Sequence, residues 1–372
     1  MLYTDNPTHA ELVALDAVRG DLCVSLFLPT TPVTRATKAD RIAFKNLTTE
    51  AIAQLKSAKA NKRRISAVES QLDELHDDDR FWAYLADGLA VFVTPRDLKT
   101  FRLPLSPAPE VQVSDRFHIK PLVPLVSSAH NCFVLALAQG SIRLIEVTPS
   151  LSEALKVPSL PRSLSDAVKR QMPRDRAPAG RIQGSEGMKV LLAQYCRIVD
   201  RAIRPILAGQ RAPLILATVD ELAALYRANS SYAHLAKATI KGNSEHVSEP
   251  ELAVQARTIL KRLERKRVSE RLLEINSALN ADYASFDLAQ ISRAAVRGQV
   301  ASLLVDVTAS VPGTIDSSSG KLKMARSASA GTYDVLDELV GLSIRAGGEV
   351  LAVDSKALPS DSQVAALMRY RG

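Results

Sequence analysis

Two rhythms of apolar residues take turns along the chain, and their alternation constrains its fold more than any other feature. Mostly apolar runs at 22–28 (interrupted by Ser25), 89–93, 132–138, 213–219 and 300–307 have strand length and are bounded by turn-forming residues. Between the early runs, Phe44, Leu47, Ala51 and Leu55 step by three and four, as do Ile65, Val68, Leu72 and Leu75, which is the spacing of one helix face. No run approaches the roughly 20 apolar residues of a bilayer span. Strand signals alternating with helix signals predict an α/β protein with mixed sheets, and 372 residues suffice for two or three cores.

The punctuation predicts three consecutive αβ domains. Pro121, Pro124, Ser127 and Ser128 close the first, 1–128, which holds a short helix from Ala10, the strand 22–28, the two amphipathic helices and a hairpin over 89–103. In it, Asp77, Asp78 and Asp79 beside His76 read either as a cap for the following helix or as a metal cluster; without another ligand at metal spacing the cap is the expectation, and no metal is expected. The second domain, 129–210, opens with a hairpin over 132–147 turning at Gln139 and Gly140. It continues through a Pro/Ser/Arg-rich segment, 149–181, expected to be long, exposed and irregular, and ends with a helix over 188–208. There Met188, Leu191, Tyr195, Ile198, Ala202 and Ile206 form an apolar stripe, with Arg197, Arg201 and Arg204 opposite, and Gly209 marks the end. The strand 213–219 and a helix from Asp220 open the third domain, 211–372. A long helix at 249–280 shifts its stripe by five residues between Leu263 and Val268, so it either exchanges packing partners or bends. Strand, helix and strand signals follow near 300–307, 333–344 and 349–353, with a Gly/Ser-rich loop, 312–331, between the first two.

Charge separates these regions. Residues 1–128 carry 16 Lys+Arg and 16 Asp+Glu, 129–210 carry 12 and 6, and 211–372 carry 20 and 18, so the smallest region holds most of the net charge of +8. A local single-sign excess attracts polyanions, of which nucleic acid is the most common in a cell. Three cysteines, Cys23, Cys132 and Cys196, lie far apart and mostly in apolar runs, which fits neither a disulfide framework nor a thiolate metal site. Residues 1–10 show neither a basic nor an apolar secretory region, and a cytoplasmic location is expected.

Catalytic motifs are absent. The six histidines are scattered singly, and His118 in Arg116-Phe-His-Ile-Lys120 reads as structural rather than as a base. Residues 313–321 resemble a phosphate loop but have six residues between glycines where four are needed, and Leu322 where a magnesium-holding hydroxyl belongs. No cofactor is expected. Gly184-Ser-Glu-Gly187 at a helix start offers free backbone N–H groups, near Arg174, Arg176, Arg181 and Lys189, and reads as an anion-docking turn or simply as a glycine-assisted helix start. Lys261, Arg262, Arg265, Lys266 and Arg267 are either a solvated helix face or phosphate contacts. The candidate RNA-binding residues are therefore Arg174, Arg176, Arg181, Gln183, Gly184, Lys189, Arg197, Arg201, Arg204, Lys261, Arg262, Lys266 and Arg267.

Val24-Ser-Leu-Phe-Leu-Pro-Thr30, Arg41-Ile-Ala-Phe-Lys-Asn-Leu47, Phe81-Trp82 with Leu89-Ala-Val-Phe-Val93, and Arg116-Phe-His-Ile-Lys-Pro-Leu122 resemble bacterial relatives of the archaeal and eukaryotic peptide-chain release factors. The stretches 132–146, 294–305 and 337–353 agree, so the resemblance spans the chain in the expected order. It implies a middle domain like the release factors' tRNA-acceptor-like domain. It also implies a third domain like their partner-binding domain, with the fold of certain ribosomal RNA-binding proteins, and hence ribosome or structured RNA and a translational GTPase as partners. Release factors carry a hydrolytic Gly-Gly-Gln loop before the middle-domain helix; here Arg181-Ile-Gln183-Gly184-Ser-Glu-Gly187 stands there, without the paired glycines and with Glu186 added. The Asn-Ile-Lys-Ser stop-codon motif is also missing. The resemblance thus implies ribosome binding without termination, as in the related factor Pelota, in rescue, stress or defence, with no enzymatic activity expected. The alternatives are a hydrolase acting on peptidyl-tRNA or RNA through Gln183, Glu186 or the Asp77–Asp79 run, and a protein-interaction module without RNA contact.

Overall fold

The computed structural model describes residues 4–5, 7–32, 37–127, 130–171, 185–210, 212–326, 332–359 and 362–370. They form two compact units, one from 1–128 together with 266–372 and one from 129–265.

The chain enters the first unit through α1 (His9–Ala17), which starts in a capping box: Glu11 N–H donates to the Thr8 hydroxyl and Thr8 N–H to the Glu11 carboxylate. After β1 (Arg19–Pro29) come α2 (Thr37–Ser57) and α3 (Lys62–Asp77). The acidic run then caps α4 (Asp79–Trp82), as its sequence suggests: the Asp78 carboxylate accepts the N–H groups of Arg80 and Phe81 at 2.9 and 3.0 Å. With β2 (Gly88–Val93), β3 (Leu98–Leu103) and β4 (Glu110–Arg116), β1 makes an antiparallel sheet in the order β3-β2-β1-β4. Val24, Leu26 and Leu28 pack under α2 and α3, whereas Cys23 and Phe27 join a second cluster on the opposite face. Burial on both faces explains why the 22–28 part of β1 and all of β2 read as nearly continuous apolar runs. A short α5 (Val123–Ser127) closes the segment.

The second unit comprises β5 (Cys132–Leu137), β6 (Ile142–Val147), β7 (Ser152–Ala154), α6 (Leu164–Gln171), α7 (Ser185–Leu207), β8 (Leu214–Thr218), α8 (Asp220–Asn229), β9 (Leu235–Lys241) and the start of α9 (Glu249–Ala278). Its sheet has the order β7-β6-β5-β8-β9, with β5, β8 and β9 parallel. Two expectations are corrected here. The strand 214–218 hydrogen-bonds beside β5 inside one sheet, so the second core continues to Arg265 instead of ending at 210. The 149–181 segment, expected to be irregular, contains β7 and α6 in its described part; both are short, and α6 buries little beyond Ala167, so neither leaves a periodic signature.

Past the unit boundary the chain returns to the first unit through the rest of α9, then β10 (Ala284–Ser285), α10 (Leu288–Val296), β11 (Val300–Asp306), β12 (Pro312–Ile315), β13 (Leu322–Met324), β14 (Tyr333–Asp334), α11 (Val335–Arg345), β15 (Glu349–Val353) and β16 (Val364–Met368). The main sheet here is β10-β16-β11-β15, and β13-β12-β14 form a small sheet where 312–331 was expected to be loop. The long helix exchanges partners without breaking: Leu252, Ala256 and Ile259 belong to one cluster, Val268 and Ile275 to another.

The expected first and third domains share one core. Leu12, Leu15, Phe92 and Phe117 lie in the same buried cluster as Ile291, Leu303, Leu336 and Leu339. Polar groups bind the segments further. His118 is flanked by Glu110 at 3.3 Å and Asp337 at 3.2 Å, and Asp337 also accepts the N–H groups of Ile119 and Lys120. The Lys120 ammonium donates to Asp334, Arg345 pairs with Asp16, and Glu338 takes Arg116 and Arg19. His118 is thus structural, as its sequence setting suggests. These contacts make one unit of two segments that are far apart in sequence.

Candidate nucleic-acid interface

The whole net charge sits in the second unit. Residues 129–265 carry 20 Lys+Arg against 12 Asp+Glu, whereas the remaining residues are balanced at 28 each. Because β-strand side chains alternate, Phe133, Leu135 and Leu137 of β5 pack with α7 and α8, and Cys132, Val134 and Ala136 pack with α9. Helices α7 and α9 therefore cover opposite faces of the sheet.

Helix α7 buries Leu192, Tyr195, Cys196, Val199, Ala202, Ile203 and Leu207. This face is rotated from the stripe expected from spacing. Tyr195 and Ala202 lie in it, but Leu191, Ile198 and Ile206 lie at its edge and Met188 is 43% exposed. The reason is that Cys196 and Val199 are as apolar as the residues chosen, so two adjacent stripes compete on sequence alone. The burial pins the helix: Tyr195 donates its hydroxyl to the Ala138 carbonyl, and Asp200, itself buried, accepts from Ser230 Oγ and from both the N–H and the hydroxyl of Ser231. Desolvation raises the Asp200 pKa, but these hydrogen bonds and the one from Arg204 outweigh it and hold the carboxylate below its usual range.

On the outer face Lys189, Arg197, Arg201 and Arg204 are all exposed. Arg204 is paired with Asp200 at 3.1 Å. Arg197 donates Nε to the neutral Asn229 amide oxygen at 2.7 Å, which orients its guanidinium without cancelling its charge. Lys189 and Arg201 have no ion-pair partner among the described residues. Asn229 and the buried Asp200 hold arginines of this face and were missed by sequence reasoning, since nothing in the pattern marks a residue that supports an arginine.

Four further candidates lie on α9. Lys261 and Arg262 are exposed on α9, on the opposite layer. Lys266 and Arg267 lie beyond the unit boundary and are engaged, Lys266 with Glu270 at 3.6 Å and Arg267 with Glu349 at 2.5 Å and the Ser127 carbonyl. Arg267 therefore acts as a tie within the first unit. Arg174, Arg176, Arg181, Gln183 and Gly184 lie outside the described residues. Burial pushes the Cys132 and Cys196 thiols up to about 12, which keeps them protonated and unreactive. Among the described residues no cluster of His, Cys, Asp and Glu has metal-binding geometry, and no helix is long and apolar enough to cross a membrane.

The geometry defines a mixed αβ chain of two units, of which one carries the net charge and a long arginine-bearing helix. The particular relationship comes from sequence comparison: residues 129–266 match the family "Bacterial archaeo-eukaryotic release factor family 11", a span that coincides with the second unit. The release-factor resemblance holds there. No curated protein matches the chain. Among solved structures it is similar to archaeal Pelota, from a model of ribosome-bound archaeal Pelota and ABCE1, at 18% identity, covering 76% of this chain and 78% of that one with a TM-score of 0.43. It is also similar to S. cerevisiae Dom34, a translation termination-like factor involved in RNA quality control and interacting with Hbs1, at 13% identity, covering 77% and 79% with a TM-score of 0.40. A third is archaeal translation termination factor aRF1, at 15% identity, 98% coverage of both chains and a TM-score of 0.23.

Proposed function

We propose that the protein binds ribosomal or other structured RNA through the outer face of α7 and acts in a translation-related process, rescue, stress response or defence, without reading stop codons. The observation that carries this reading is the exposed cationic face of α7, on which Lys189, Arg197 and Arg201 have no ion-pair partner among the described residues, in the one unit that holds the chain's whole net charge. The family match of residues 129–266 supports it, and a translational GTPase is proposed as a further partner. Lys261 and Arg262 would be a second, separate phosphate contact. Arg174, Arg176, Arg181, Gln183 and Gly184, which precede α7 in sequence, are proposed as further RNA contacts, in a stretch without the paired glycines of the hydrolytic loop.

Cosedimentation of the full chain with 70S ribosomes over a salt series tests this. Binding should weaken steeply as salt rises, with a shallower slope and at least about tenfold lower affinity in R197E/R201E/R204E. Binding indifferent to salt and to these changes would overturn the proposal. Release of amino acid or peptide from charged tRNA, lost on Gln183→Ala, would favour the hydrolase reading instead.

A further inference from the structure

Between α6 and α7 lies a groove of about 390 Å³, within the range of small-ligand sites. Val168 of α6 and Leu191 and Ile198 of α7, all part-exposed, form its apolar floor, and the exposed Arg197 and Arg201 line it too. Tyr195 lies buried beneath them with its hydroxyl committed to the Ala138 carbonyl, so the floor presents aliphatic carbon alone. No acidic side chain is among its described lining residues. One guanidinium is steadied by Asn229 with its charge intact, and the other has no ion pair among the described residues. Two cations beside a small apolar floor complement a ligand that is flat and apolar at one end and anionic at the other.

We infer that this groove takes one unpaired nucleotide of a bound RNA, the base against the floor and its phosphate at Arg197 and Arg201. This deepens the RNA-binding reading and rests on it: the arginines alone would hold any phosphate backbone, whereas the floor selects a base that has left its helix. A paired base cannot reach such a floor, because its faces are stacked and its edge is occupied. An acidic peptide would use the arginines but would leave the apolar floor unfilled, so a nucleotide fits better.

The test uses the full chain, a single-stranded oligoadenylate carrying one 2-aminopurine, and an RNA duplex of the same length. The single strand should bind about tenfold or more tighter than the duplex, with a change in 2-aminopurine fluorescence on binding. L191S/I198S, which removes floor but no charge, should lower single-strand affinity about tenfold and leave duplex affinity unchanged. If the double variant does not fold by circular dichroism, Ile198→Ser alone serves. Equal affinity for both RNAs with no effect of the floor substitutions overturns the groove and leaves the RNA reading intact. Failure of both RNAs and of ribosomes to bind overturns the RNA reading itself. A glutamate-rich peptide that binds in a floor-dependent way, while RNA binds independently of the floor, assigns the groove to a protein partner and overturns the inference.

Discussion

His118 is buried with both ring nitrogens facing carboxylates. Burial opposes its charge, but Asp337 and Glu110 outweigh burial and push its pKa up to about 10. A folded-state pKa above the unfolded value near 6.5 means that the pair's stabilisation is complete below about pH 6.5 and is lost as pH rises toward 10. Thermal unfolding followed from pH 6.5 to 10 should show this decline in the wild-type chain and a flatter profile in His118→Gln. At pH 7, His118→Ala should cost about 3–5 kcal/mol, because it leaves Asp337 buried without its cation. Asp16 behaves in the same direction for a different reason: burial lifts its pKa to about 6, with Arg345 opposing and Glu338 reinforcing the shift. Its contribution is present below about pH 4 and lost by about pH 6, so Asp16→Asn should flatten that part of the profile. Gly341 lies against this carboxylate, and a Cβ there would come within 2.0 Å of Asp16 Oδ1. The charge network leaves the carboxylate little room to move, so Gly341→Ala should destabilise the chain by about 1–3 kcal/mol, read as a lower denaturant midpoint with unchanged slope.

Helix α7 carries two faces, an apolar one packed on the sheet and a cationic one exposed to solvent. Asp200 links them, since it ties the helix to Ser230 and Ser231 while holding Arg204. Asp200→Ala should cost about 2–3 kcal/mol by urea unfolding, and this stabilisation should fade in the wild type as acid protonates a carboxylate whose folded pKa is depressed. The helix was legible in the sequence because its apolar residues and arginines segregate over many turns. Its exact buried face was not, because Cys196, Val199 and Ile203 compete with Leu191, Ile198 and Ile206 for the same core. Strand β9 was missed for a related reason: Leu-Ala-Lys-Ala-Thr-Ile-Lys is rich in alanine and shows no strong alternation, and it forms beside β8 because the sheet supplies a hydrogen-bonding edge. Conversely, the phase shift in α9 was readable, since a stripe that jumps while helical spacing continues can serve two different cores.

At the scale of the molecule, the distinction between two units and three domains has a direct consequence. A boundary at 210 was inferred because a strand followed by a helix there looks like a fresh start, but sequence order does not reveal that the strand inserts beside one from 132–137. Likewise, the shared core between 1–128 and 266–372 depends on contacts more than two hundred residues apart, such as Asp337 with His118, which no local pattern announces. Each of these segments alone would expose half of that core and leave buried charges without partners. The continuous unit has its own sheet with helices on both faces, so a fragment spanning 130–265 should unfold cooperatively and retain salt-dependent RNA binding. Fragments 1–128 and 266–372 should each aggregate when expressed singly but copurify when coexpressed. A fragment 1–128 that folds cooperatively by itself, with the dispersed amide signals of a packed domain, would show instead that the segments fold independently and that their charge network is only a dock between finished domains.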